Sequence, residues 1–201
     1  VVDVIVPTIE GREESLERCL ASFSGLNHIV VKGEPTCGRA WIKGIEQSTA
    51  DYILLCADDI QCDYYDWQEP LWIEACIETC EKGMLPAPVV FRPNHSLESA
   101  GGDMSASGCL IDHIQPDWTP VDFTPMPFGS REQIEAIGMI EAHYMTDVWF
   151  SHRGRQLGYE TVLRHPYRLI HHHEMVGRIN STDSDQRIYN EAMEKATTCE
   201  S

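Results

Sequence analysis

The feature that most constrains this chain is the stretch YILLCADDI at 52–60, an apolar run that ends on two adjacent carboxylates, Asp58 and Asp59. A short continuous apolar run bounded by polar residues suits a strand buried on both faces of a parallel sheet. In open α/β sheets the ligand crevice lies beyond the carboxyl ends of the strands, so the two acids would emerge there. Side-by-side carboxylates repel unless a cation joins them, and Mg²⁺ in particular is commonly shared between carboxylates and phosphates. A solvated acidic turn fits the same residues. The rest of the chain has to choose between these readings.

The preceding residues repeat a strand, turn and helix. VVDVIVP at 1–7 reads as a strand and TIEGR at 8–12 as a polar turn. Leu16, Cys19, Leu20 and Phe23 then fall at i, i+3, i+4 and i+7, the buried face of a helix ending near Gly25. A second strand at 28–32, a turn at 33–37 and a helix at 38–49, with Trp41, Ile42 and Ile45 inward, lead into the 52–60 strand. Such alternation implies right-handed crossovers and an α/β fold: a Rossmann-like, three-layer α/β/α sandwich around a mostly parallel central sheet.

Beyond the acids, 63–67 reads as loop. Pro70 suits the first turn of a helix whose Ile73, Cys76, Ile77 and Cys80 mark one face, and Lys82-Gly83 stops it. The proline-rich segment 84–130 predicts short strands and long loops rather than helices, the setting in which substrate selection usually sits. Helices are expected at 131–138 and 147–157, and two short strands at 159–164 and 168–173, separated at Pro166. From Ser184, the spacing of Tyr189, Ala192, Met193 and Ala196 predicts a terminal helix, packed on the body or on a neighbouring subunit of a homo-oligomer.

The length, 201 residues, suits one domain, and 15 Lys and Arg against 32 Asp and Glu give a formal charge of -17. That field repels nucleic acid and anionic membranes, so a phosphate-bearing substrate would need local basic residues or a cation at its site. No leader or membrane-length apolar stretch stands out, and the eight scattered cysteines look like small hydrophobes. The expectation is a cytoplasmic protein. Cys76 and Cys80, one helical turn apart without a second ligand pair, read as core packing.

Three motifs fall in order: PTIEGR after the first strand, ADDI after the third, and TDVWFSHRGRQLGYETVLRHPYRLIHHHE near the end. In this order the chain resembles the family 2 glycosyltransferases of the GT-A fold, over 2–177. The resemblance implies a single domain with a nucleotide-binding half (1–60), an acceptor and catalytic half (61–178) and a helical tail (179–201). It implies that Pro7, Thr8, Glu10 and Arg12, with Lys32, Arg39 and Asp58, hold a nucleotide-sugar donor. Asp59 and His172, with His171 or His173 as alternatives, would hold Mn²⁺ or Mg²⁺ on the diphosphate. Asp147 falls where inverting members carry their catalytic base, at a predicted helix N-terminus whose dipole favours the ionised form. The implied reaction moves a sugar from the donor to an acceptor hydroxyl on a glycan, a lipid-linked sugar or a protein.

Departures from the family pattern are Ala57 at the first DXD position, Lys32 where the second strand usually ends on an acid, Thr146 in place of Glu before Asp147, and Ile42 for a frequent Asn. Other readings stay open. Asp147 also fits a helix N-cap, and the triple His a pH-dependent surface cluster or a fortuitous transition-metal site. Arg153, Arg155 and Arg164 fit either a solvated face or a phosphate site. Trp67, Trp72, Trp118 and Trp149 read as core rather than sugar platforms, with Trp118 in the loop region the best exception. A sugar-nucleotide nucleotidyltransferase would share the α/β design, though TIEGR is a poor Gly-rich loop. A catalytically degenerate GT-A fold serving as a binding module accommodates Ala57, Lys32 and Thr146.

Overall fold

A computed structural model describes residues 1–63, 69–105, 108–110, 115–173 and 183–198. The alternation expected near the N-terminus is present as β1 (Val2–Thr8), α1 (Glu13–Ser22), β2 (Asn27–Lys32), α2 (Cys37–Gln47) and β3 (Tyr52–Leu55). β1 pairs in parallel with β2 and with β3. Val4, Ile5, Val6, Ile53, Leu54 and Leu55 have no exposed surface. Their alternation divides them between two cores. Val4, Val6 and Leu54 pack with Cys19, Phe23, Trp72 and Cys76 on one face, and Ile5, Ile53 and Leu55 with Trp41, Ile134 and Phe150 on the other. A strand run apolar at every position is what a sheet covered by helices on both sides requires. The result is the expected three-layer α/β/α arrangement.

The apolar run at 52–60 is not one strand. β3 stops at Leu55, the chain turns through Asp58 and Asp59, and β4 (Ile60–Cys62) pairs antiparallel with a strand of a second sheet. The turn is pinned from outside: the Thr8 hydroxyl donates to Asp58 Oδ2 at 2.7 Å and the Ser15 hydroxyl to the Asp58 carbonyl at 3.1 Å. Apolarity persists across the break because Ile60 and Cys62 are buried too. A hydropathy pattern therefore sees no boundary.

Past α3 (Glu69–Glu81), closed by Gly83 at φ 75, come β5 (Met84–Phe91), β6 (Leu97–Ser99), the hairpin β7 (Asp103–Ser105) and β8 (Gly108–Leu110), and β9 (Phe128–Ser130). No helix falls in the proline-rich segment among the described residues, as expected. β5 is nonetheless a long strand despite Pro86 and Pro88. The neighbour β6 reaches only Val90 and Phe91, so the two missing N–H groups interrupt no ladder on that edge. The helices α4 (Arg131–Ile137) and α5 (Thr146–Gln156) follow. A Ser130–Gln133 capping box opens α4 and Gly138 closes it.

The two strands expected around Pro166 are a single one, β10 (Glu160–His171), which pairs in parallel with β5 through a register shift between Leu163 and Arg168. The bulge absorbs the proline, and the strand continues beyond it to pair with β4. The sheets run β2-β1-β3-β9 and β4-β10-β5-β6, with the long strands paired in parallel and β9, β4 and β6 antiparallel. The terminal helix α6 (Asp183–Thr198) packs Tyr189 and Ala196 against Ile140, Ala142 and Trp149 of the same chain. Among the described residues no helix is long and apolar enough to cross a membrane. Cys76 and Cys80 are buried core residues, as the sequence suggested. The loop expected at 63–67 lies outside the described residues after Asp63, and Trp67 with it.

Candidate active site

The carboxyl ends of β1, β3 and β10 converge on one cavity of about 260 Å³, closed on its far side by the N-terminal ends of α2 and α5. Of the site residues proposed from the sequence, Pro7, Thr8, Arg12, Asp58, Asp59 and Asp147 line it. These come from three separate stretches of the chain. The topology brings them together where an α/β sheet is expected to hold its ligand.

The cation that joins the two carboxylates is Arg12. Its Nη2 lies 2.8 Å from Asp58 Oδ1 and 3.2 Å from Asp59 Oδ2. At these separations the charges attract strongly, although the angles leave Arg12 Nε and Nη2 without a linear hydrogen bond. Asp58 is almost fully buried, which pushes its pKa up; the Thr8 hydroxyl and Arg12 work against that. Its side chain thus ties the turn after β1 to the turn after β3. The mutual repulsion that called for a metal ion is answered by a side chain of the protein itself. An argument for a metal needs a further donor beside these carboxylates.

Such donors stand at the end of β10. His171 Nε2 faces Asp59 Oδ2 at 3.6 Å, and its other ring nitrogen, Nδ1, lies 2.9 Å from Glu98 Oε1. Two ligands of one divalent ion with bonds of about 2.1 Å stand roughly 3–4 Å apart, so a carboxylate and an imidazole at this spacing suit Mn²⁺ or Mg²⁺. Glu98 accepting from Nδ1–H would leave the Nε2 lone pair aimed at the cavity, the usual arrangement behind a metal-binding histidine. Burial alone would lower the His171 pKa, but the Asp59 and Glu98 carboxylates outweigh it and hold it above the ordinary value. His173 lines the cavity as well, with Nε2 at 2.7 Å from Glu98 Oε2. His172 points elsewhere: its ring meets Gln61 at 3.0 Å and it is not a lining residue. β10 ends at His171, and the chain leaves the strand there, with the His172 N–H donating to the Asp59 carbonyl and its ring turned to Gln61.

On the opposite wall, Asp147 is the second residue of α5, after Met145 as N-cap in a left-handed conformation. It is therefore not an N-cap. Burial pushes its pKa up to about 6, offset in part by its hydrogen bond from the Val148 N–H at 2.8 Å. Desolvation outweighs the helix dipole here, contrary to the expectation of a simply stabilised carboxylate. Next to it, the backbone N–H groups of His143 and Tyr144 donate to the buried Asp185 of α6 at 2.8 and 3.2 Å, fixing the segment that leads into α5. The N-terminus of α2 is no phosphate cradle, because its N–H groups are taken: Cys37 donates to His143 Nδ1, Gly38 to the Ala142 carbonyl and Arg39 to the Thr36 hydroxyl. Among the described lining residues, Arg12 and a protonated His171 can meet negative charge in the cavity, as can a bound cation.

Four proposed residues fall outside the lining. Glu10 and Lys32 are exposed, Arg39 is an exposed partner of Glu34 and Glu141, and His172 faces Gln61. Glu34, two residues past Lys32, takes the position at the cavity, its pKa lowered by the hydrogen bond from Lys43. The phosphate reading of the basic residues finds no support in their contacts. Arg155 pairs with Asp122, Arg153 with Gln156, and Arg164 with Asp117 while stacking 3.6 Å over the Trp118 ring. Trp118 is a cation-π partner and not a cavity residue. Sequence reasoning missed Glu98, His143 and Asp185. Each acts on residues tens of positions away, and none carries a local motif.

No protein-family model matches this sequence, and no curated protein matches it. Solved structures do. A197 from STIV is 13% identical with a TM-score of 0.56, over 90% of this chain and 98% of that one. GalNAc-T7, crystallised with UDP, GalNAc and Mn²⁺, is 11% identical with a TM-score of 0.72, over 96% of this chain. This chain spans 47% of the GalNAc-T7 chain. The catalytic domain of Drosophila beta1,4galactosyltransferase 7 in complex with xylobiose is 13% identical with a TM-score of 0.56, over 94% of this chain and 79% of that one. The three motifs, the three-layer architecture and these likenesses together make this a GT-A glycosyltransferase fold.

Proposed function

We propose that the chain is a divalent-metal-dependent, inverting glycosyltransferase that takes a sugar from a nucleotide-diphosphate donor. One observation carries this reading: the Asp59–His171 pair, spaced for a divalent ion at 3.6 Å, and an acid with a pKa of about 6, Asp147, line the same cavity. The ion, when bound, would supply positive charge to the leaving diphosphate. Asp59 and His171 hold it, and Glu98 orients the imidazole. Arg12 neutralises Asp58 and keeps the turn after β1 in place. Glu34 and Thr36 face the nucleotide end of the cavity from the segment after β2. Asp147 takes the proton of the acceptor hydroxyl as it attacks the anomeric carbon, a role suited to a carboxylate that is mostly ionised at pH 7 yet basic enough to accept a proton.

The test is a panel of nucleotide sugars with Mn²⁺, read as release of nucleoside diphosphate. Wild type should turn over at least one donor, and Asp147→Asn and Asp59→Ala should not. Full activity in both variants would remove the site assignment. A second reading, a degenerate GT-A fold used as a binding module, is favoured by one feature, the Arg12 guanidinium already placed between both acids. Calorimetry separates them. Nucleoside diphosphate binding that strengthens with Mn²⁺ supports the enzyme, and no binding under either condition supports the module.

A further inference from the structure

Glu98 owes its position to a bulge. In the β5–β6 ladder Val90 pairs with Ser99 and Phe91 with Leu97, so Glu98 is the extra residue between the two partners. A bulge re-aims the side chain it carries. Here both carboxylate oxygens reach the end of β10: Oε1 lies 2.9 Å from His171 Nδ1 and Oε2 2.7 Å from His173 Nε2. The two imidazoles lie side by side, ring centroids 3.8 Å apart. One ligand atom from each of Glu98, His171 and His173 fits within a span of 4.8 Å.

We infer that Glu98, His171 and His173 form a separate site for a borderline cation such as Zn²⁺, and that filling it prevents His171 from holding a cation with Asp59. Two imidazoles and one carboxylate are a ligand set that zinc accepts at bonds of about 2.0–2.2 Å, with a fourth position left to water. Such donors stand roughly 3.3 Å apart around a tetrahedral ion, and the ligand atoms of these three side chains lie within 4.8 Å of one another, so small side-chain adjustments bring them onto one ion. The site lies on the opposite side of the His171 ring from Asp59. That ring links the two. A neutral imidazole carries one proton on one of its two nitrogens. A cation at Nδ1 leaves the proton on Nε2, which then points at Asp59 as a donor and offers no lone pair. A cation at Nε2 requires the proton on Nδ1, where Glu98 accepts it. Zinc is therefore an antagonist of the ion at Asp59, built into the same residue.

The zinc site stands on its own geometry, whereas the antagonism rests on the proposed function. The experiment keeps them apart. Zn²⁺ is titrated calorimetrically into wild type and the Glu98→Gln, His173→Ala and Asp59→Ala variants, each checked for native circular dichroism. His173 is 43% exposed, so its replacement should leave the fold intact. Wild type and Asp59→Ala should bind one Zn²⁺ per chain, with affinity reduced tenfold or more in the other two. Equal binding in Glu98→Gln and His173→Ala, or loss only in Asp59→Ala, overturns the site. Mn²⁺ uptake with a nucleoside diphosphate is then followed by electron paramagnetic resonance. One equivalent of Zn²⁺ should release Mn²⁺ from wild type but not from His173→Ala, and release from both, or from neither, overturns the antagonism. If wild type takes up no Mn²⁺ at all, the donor-site reading fails while the calorimetric result still decides the zinc site.

Discussion

Asp58 and Asp147 face one cavity from opposite walls, and burial raises the pKa of both. Their surroundings differ. Asp58 receives the Thr8 hydroxyl and the Arg12 guanidinium, so its charge is matched by groups that fold with it. Among the described residues, Asp147 has the Val148 N–H and its own backbone to offset the loss of water, and its pKa stays at about 6. A matched buried carboxylate is a structural tie. One left partly unmatched holds a proton affinity that the fold does not use, and that is what a general base needs.

This contrast can be broken in several ways. The largest expected effect is on turnover: Asp147→Asn should lower transfer by roughly 10²–10⁴-fold with little change in donor affinity, measured as kcat and KM separately. An equal loss in KM would place Asp147 in binding instead. Next is the pH dependence. The folded pKa of Asp147 lies above its ordinary value of 3.8, so folding favours its protonated form, and the ionised side chain costs stability that grows above about pH 4 and is full above about pH 6. That cost fades as the pH falls through the interval and is absent below about 4. Asp147→Asn should thus stabilise the protein at pH 7–8 by about 1–3 kcal/mol and have little effect near pH 4. Urea melts at both values check it. Over the same range wild-type kcat should fall as the pH drops through about 6.

Asp58→Ala should act in the opposite direction, destabilising by about 1–3 kcal/mol at pH 7 because it strips a partner from Thr8 and from Arg12. A neutral outcome would mean that water replaces the tie. Thr8→Val, which removes one hydrogen bond and keeps the volume, should cost about 1 kcal/mol in the same melts. If Thr8→Val and Asp58→Ala cost the same, Arg12 contributes nothing through Asp58 and its partner is Asp59 alone.

Part of this architecture was legible before any coordinates. β1, α1, β2, α2 and α3 were readable because each carries its own period: alternation or full burial in strands, and i, i+3, i+4 spacing in helices, with Gly83 and Gly138 marking stops. The break at Leu55 and the join across Pro166 were not. Burial continues through the first, and a bulge accommodates the second, so neither leaves a mark in hydropathy. At the site, the motifs pointed to Asp58, Asp59 and Asp147, yet which histidine faces Asp59 depends on where β10 ends, at His171, and how the chain leaves it. A one-residue difference exchanges His171 for His172.

By itself, the sequence determined that two acids end a buried strand, that a third acid opens a later helix and that a His cluster follows, because these are properties of residue type and spacing along one chain. Only the tertiary structure decided that Arg12 is the cation between Asp58 and Asp59, that Glu98 stands behind His171, and that burial of Asp147 outweighs the backbone N–H groups around it. Those are relations across 47 to 73 positions in sequence, counted from Arg12 to Asp59 and from Glu98 to His171. They are fixed by which strands lie side by side and by how much water each carboxylate loses, and neither quantity is local to the chain.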